Sequence, residues 1–129
     1  VIALLGLAYK EDTHSTKNSA ALELLAHLHP YAVRAFDPVV RVSASFHPRL
    51  YAAESELDAC VGADALVIMT PWVRFRTLDV RALARQLRGK VLIDPYGLLK
   101  ATEWHAAGLE YHTLGVGASK ARADSAIPC

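Results

Sequence analysis

The sequence is poor in the residues that staple or anchor small proteins. Among 129 residues there are two cysteines, one of them the last residue. No disulfide framework can be built from that, and a reducing compartment, the cytoplasm, is expected. No stretch approaches the roughly 18 uninterrupted apolar residues of a membrane span. An excess of one charge is also missing: 14 Lys and Arg face 13 Asp and Glu, a formal net charge of +1. Nothing global therefore draws the chain to nucleic acid or an anionic membrane. The chain opens on Val1 with neither an initiator Met nor a signal-like leader, so it reads as a piece of a longer protein. Three glycine signatures are absent: G-x-G-x-x-G, the phosphate loop G-x-x-x-x-G-K-[ST], and G-x-S-x-G. The six histidines lack ligand spacing. His27 and His29, two apart on a helix, point in different directions, and no metal is expected.

What the sequence does have is apolar residues, 53% against 21% charged, enough for one domain with a sizeable core. They come as short runs alternating with amphipathic stretches. Val1 to Leu5, Ala32 to Phe36, Leu50 to Ala53, Ala65 to Met69, Val91 to Ile93 and Tyr111 to Leu114 read as strands. Val1 to Leu5, a continuous apolar run ended by Gly6, suits a strand covered on both faces. Between the strands, Ser19 is an N-cap for a helix with Ala21, Leu24, Leu25 and Leu28 on one face, stopped by Pro30. Glu54 to Val61, Leu78 to Leu87 and Leu98 to Ala107 read as further helices, the last stopped by Gly108. The alternation predicts a doubly wound, mostly parallel, Rossmann-like α/β sheet of about six strands. Helices cover both faces in three layers, and the strand order 3-2-1-4-5-6 is allowed. Residues 118–129 read as a flexible tail.

Ligands of such folds bind beyond the carboxyl ends of the strands at the topological switch point, here between the first and fourth strands. Three segments reach that edge: residues 7–18, Thr70-Pro71-Trp72 and Asp94-Pro95-Tyr96-Gly97. The first is long for a strand-to-helix link. On it, Lys10 reads either as a point charge for a phosphate or as a solvated loop residue. Tyr9 reads either as a stacking face or as core edge. Asp37 stands where a ribose-reading acid would end the second strand, but Gly6 has no second glycine after it. A turn or cap role before Pro38 fits Asp37 better. Cys60 reads as packed core, and Trp72 as a packing anchor more than a ligand platform. Arg74 to Lys90 carries six basic residues against Asp79 alone. That stretch reads as a solvated helix face, with no aromatic interleaving for single-strand binding.

Gly6-Leu7-Ala8-Tyr9-Lys10-Glu11-Asp12-Thr13 followed by Lys17-Asn18-Ser19-Ala20 resembles the opening of the C-terminal UDP-binding domain of the UDP-glucose/GDP-mannose dehydrogenase family. The pattern there is similar to G-L-[AST]-[FY]-K-x-x-T-D-D-x-R-x-S. Phe36-Asp37-Pro38, Gly62 to Trp72 with Phe75, Gly89 to Asp94, and Gly108 to Gly115 resemble later stretches of that domain in order and spacing. The resemblance spans residues 1–117, expected as the domain.

The resemblance implies one part of an NAD-dependent enzyme that oxidises the 6-hydroxyl of a nucleotide sugar to a carboxylate, as in polysaccharide biosynthesis. An upstream domain would hold NAD and a linker would carry the catalytic Cys, so this chain alone would hold no catalytic residue. It further implies that Tyr9 and Lys10 contact the substrate nucleotide, joined by Tyr96, and that Lys17 reaches toward the cofactor. The partners implied are a UDP-sugar, the upstream domains and a homo-oligomer. Departures are visible: His14 and Ser15 replace two acids, Lys17 replaces Arg, and Tyr96 stands where the family often has Arg. Arg to Lys loses the planar fork that grips phosphate. The departures mark either a subfamily or a domain that kept its fold, lost its ligand, and serves interaction or assembly.

Overall fold

The computed structural model describes residues 1–8 and 19–113. Six parallel strands form one sheet in the order β3-β2-β1-β4-β5-β6. The strands are β1 (Ile2–Leu5), β2 (Val33–Phe36), β3 (Leu50–Ala52), β4 (Ala65–Ile68), β5 (Val91–Ile93) and β6 (Glu110–His112). The helices between them are α1 (Ala20–His27), α2 (Glu56–Cys60), α3 (Val80–Gln86) and α4 (Ala101–Ala106), with 3-10 turns at Ala44–Phe46 and Val73–Thr77. The expected strand order is the observed one.

Register explains the layers. Ala3 pairs with Arg34 and Leu66, and Leu66 pairs with Leu92, so these side chains share a face. On that face Arg34 reaches the Asp58 carbonyl of α2 at 2.7 Å, and Tyr111 stacks on Trp104 of α4 with ring centroids 4.2 Å apart. α2, α3 and α4 therefore cover this side, packed in succession. α1 joins β1 to β2 in the opposite direction along the sheet, and the right-handed crossover rule sets it on the other face. The middle strand is buried on both sides: Ala3, Leu4 and Leu5 are all 0% exposed.

Local chemistry sets the boundaries. Ser19 caps α1, accepting the Ala21 N–H at 3.1 Å. Asp79, not Leu78, starts α3 by accepting from the Ala82 N–H, so that helix runs shorter than the expected Leu78 to Leu87. α4 starts at Ala101 instead of Leu98, because the Leu99 N–H donates to the Asp94 carboxylate at 2.9 Å. That bond holds the preceding turn out of the helix. α4 ends on Gly108 at φ +75. There the Gly108 N–H donates to the His105 carbonyl and the Leu109 N–H to the Trp104 carbonyl, the paired bonds of a Schellman cap. β6 begins at Glu110, whose N–H donates to the Lys90 carbonyl. It ends at His112, not at Leu114, which lies outside the described residues together with the expected tail at 118–129.

Cys60 is fully buried, as expected of core. Burial first, and then the nearby Glu56 carboxylate, push its thiol up to about 12. No helix among the described residues is long and apolar enough to cross a membrane.

Candidate functional site

The switch point lies where β1 pairs with β2 on one side and β4 on the other. At the carboxyl ends of β1 and β4, two loops meet. Gly6 sits at φ +99, and a Cβ there would lie 2.6 Å from both Cβ and N of Thr70. Glycine is required by conformation and by space at once. Thr70, 0% exposed, donates its hydroxyl to the Ala8 carbonyl at 2.9 Å. The floor of the crevice is thus a packed joint between the two loops.

Asp37, at the end of β2, ties that joint to a third loop. Its Oδ2 accepts from the N–H groups of Leu7 at 2.7 Å and Ala8 at 3.1 Å, and from the Trp72 indole at 3.1 Å. Its Oδ1 accepts from the N–H groups of Val39 at 2.8 Å and Val40 at 2.7 Å. The last two bonds form the Asx-type turn that Asp-Pro foretells. The first three were not legible, because their donors lie about 30 residues away. With five donors the carboxylate is full as an acceptor, so it holds structure instead of reading a ribose. Trp72 is accordingly an anchor, 7% exposed, with its one polar atom used.

Ser19 supplies the return. Its hydroxyl donates to the Leu7 carbonyl at 2.8 Å, so the chain leaves this edge at Ala8 and rejoins it at Ser19. Tyr9, Lys10, His14, Ser15 and Lys17 belong to the segment between, outside the described residues. Tyr96 is described. It lies in the turn after β5, about half exposed, and its hydroxyl donates to the Met69 carbonyl at 3.1 Å. That bond brings the turns after β4 and β5 together at the same edge as Gly6 and Asp37.

Beneath Tyr96 is a residue that sequence reasoning passed over as a strand terminator. Asp94 is 0% exposed. Its Oδ2 accepts from the Leu99 N–H and from the Tyr111 hydroxyl at 2.8 Å, while its Oδ1 has no hydrogen-bond partner among the described residues. Burial, with the Asp94 bond adding to it, holds the Tyr111 hydroxyl protonated far above its usual range. Asp37-Pro38 and Asp94-Pro95 are the shared signal: in each, a strand-ending Asp turns inward to organise loops.

A six-stranded parallel sheet in this order, with a glycine turn packed at its switch point, defines a Rossmann-like domain in which the ends of β1, β2, β4 and β5 share one edge. Residues 3–101 match the model of the UDP-glucose/GDP-mannose dehydrogenase family, UDP binding domain. The chain belongs to that family and corresponds to its UDP-binding domain. It is 32% identical over 119 residues to a UDP-glucose 6-dehydrogenase of Rickettsia bellii, covering 88% of this chain and 27% of that protein. It is 34% identical over 123 residues to a UDP-glucose 6-dehydrogenase of Pseudomonas aeruginosa, with the same coverage. Among solved structures, a UDP-D-ManNAc dehydrogenase of Pyrococcus horikoshii superposes with a TM-score of 0.72 at 30% identity, over 88% of this chain and 25% of that one. The chain therefore spans about a quarter of the length of these relatives.

Proposed function

We propose that this domain supplies the nucleotide side of the substrate site in a cytoplasmic, NAD-dependent nucleotide-sugar 6-dehydrogenase. The observation that carries this reading is the family match through residues 3–101, which includes the long segment flanked by Ala8 and Ser19 at the switch point. Tyr9 stacks on the nucleotide, Lys10 faces its phosphates, and Tyr96 closes the edge from the β5 side. Lys17 reaches toward the cofactor. The described residues do not form a dinucleotide cradle of their own: Gly6 is packed against Thr70, and Asp37 is committed to five N–H donors. NAD binding and the chemical steps are assigned to other parts of a longer protein, which assembles as a homo-oligomer.

Calorimetric titration of UDP and UDP-glucose tests the reading. Wild type should bind both, and Lys10→Ala should weaken both about tenfold or more, as expected for loss of a charge-assisted phosphate contact. No heat for wild type at millimolar ligand would refute the binding role. It would favour the alternative of a fold retained for interaction or assembly, to which the departures at His14, Ser15, Lys17 and Tyr96 point.

A further inference from the structure

Away from the ligand edge, an open groove of about 310 Å³ runs between α3 and α4, lined by Arg81, Ala84, Arg85, Ala106 and Ala107. Arg81 and Arg85 are exposed and stand one helical turn apart, a like-charge spacing that disfavours a helix unless something opposes it. Two other cations of the same stretch are matched: Arg74 is bidentate on Glu56, and Arg88 pairs with Asp64 at 2.8 Å; Arg76 and Lys90 form no ion pair among the described residues, but neither lines the groove. Arg81 and Arg85 make no hydrogen bond or ion pair among the described residues. Their own helix's acid neighbour, Asp79, is used as the N-cap. On the opposite wall, the last-turn carbonyls of His105 and Trp104 are already taken by the Schellman bonds. Glu103 is the single acid of α4, and it forms no ion pair among the described residues.

We propose that this groove docks an acidic helix of a partner protein. Two carboxylates one turn apart would face Arg81 and Arg85, and small side chains would rest on Ala84, Ala106 and Ala107. Arg81 and Arg85, four residues apart on α3, match the spacing of carboxylates at i and i+4 on one helix face. The methyl floor lets a second backbone approach closely. A small anion fits less well, because a small-ligand site encloses most of its ligand. This groove is open and offers charge from one wall only. Exposed charge pairs of this kind contribute orientation and on-rate more than affinity, so the complex should be weak and salt-sensitive.

The probe is an alanine-rich synthetic helical peptide with two glutamates at i and i+4, with its Glu→Gln counterpart as control. Both are titrated against the 129-residue chain by fluorescence anisotropy at low and high salt. Saturable binding is expected, weakened about tenfold by Arg81→Glu/Arg85→Glu together, by the Gln peptide and by salt. Ala106→Met, which fills the floor without changing charge, should weaken it too. Far-UV circular dichroism checks that each variant is folded, and Arg81→Gln/Arg85→Gln replaces the reversal if that variant is not. Absence of binding, equal binding of the Gln peptide, or indifference to the arginine variants would overturn the proposal. Stoichiometric displacement of the peptide by inorganic diphosphate would overturn it in favour of a small-anion site. None of these outcomes depends on UDP binding.

Discussion

Replacing Asp37 with Asn keeps the shape and removes one acceptor edge. The native carboxylate, 7% exposed, takes three N–H groups on Oδ2 and two on Oδ1. An amide serves one side only. Its better orientation turns the oxygen to Leu7, Ala8 and Trp72, and its NH2 then faces the N–H groups of Val39 and Val40. Two backbone donors lose their acceptor, at about 1–3 kcal/mol each. The three remaining bonds drop from charge-assisted to neutral strength. Val39 is partly solvated, which favours the lower end. The sum is about 3–6 kcal/mol, a large share of the roughly 5–15 kcal/mol that holds a domain together. Urea unfolding followed by tryptophan fluorescence and by far-UV circular dichroism reads this directly. With a slope near 2 kcal/mol/M, the midpoint should fall by roughly 2 M. A loss below about 1 kcal/mol would refute the reasoning, since it would mean that the five bonds do not converge on one carboxylate in solution.

Three further outcomes are expected. Gly6→Ala should cost about 2–5 kcal/mol, from a left-handed backbone and an overpacked joint; adding Thr70→Ala should not rescue it, because the Thr70 backbone N is as close as its Cβ. The Asp58 carboxyl is held below the usual aspartate range, first by the Glu54 N–H, then by the Tyr51 hydroxyl and Arg34. A lowered native pKa gives stability that is full above the unfolded value near about pH 4 and is lost as pH falls through the native one. Asp58→Asn should therefore flatten the acid limb of a stability–pH curve, and superimposable limbs would contradict the assignment. Cys60, buried with its thiol at about 12, should stay unmodified by maleimide at pH 8 in the native state and react in urea, as read by mass spectrometry of its peptide.

How far the sequence carried depends on the range of the interaction. The bounds of β5, Val91–Ile93, are legible in the sequence, because a three-residue apolar run between Lys90 and Asp94 is decided locally. Ser19 was legible as a cap for the same reason. The start of α4 was not, since Leu98 and Leu99 look like helix but are held in a turn by the carboxylate of Asp94. β6 slipped because its bounds follow the register with β5, Val91 to Glu110, and not its own composition. The 3-10 turn at Val73–Thr77 has no local signature and is set by Phe75 dropping into the core. The strand order brings the ends of β1, β2, β4 and β5 to one edge of the sheet. The Asp-Pro dipeptides mark the two turns, but the distant donors that Asp37 and Asp94 meet, Leu7, Ala8 and Trp72 for the one and Tyr111 for the other, are set by the fold.

The convergence on Asp37 also has a consequence for molecular recognition. Residues 7, 8, 39, 40 and 72 are locked to one another by folding itself, so their backbone freedom is already gone when a ligand arrives. A molecule settling on this edge meets a preorganised floor and has no such segment to immobilise on arrival. Loosening Asp37 would therefore lower affinity even for a ligand that never touches it, through entropy restored to the free protein.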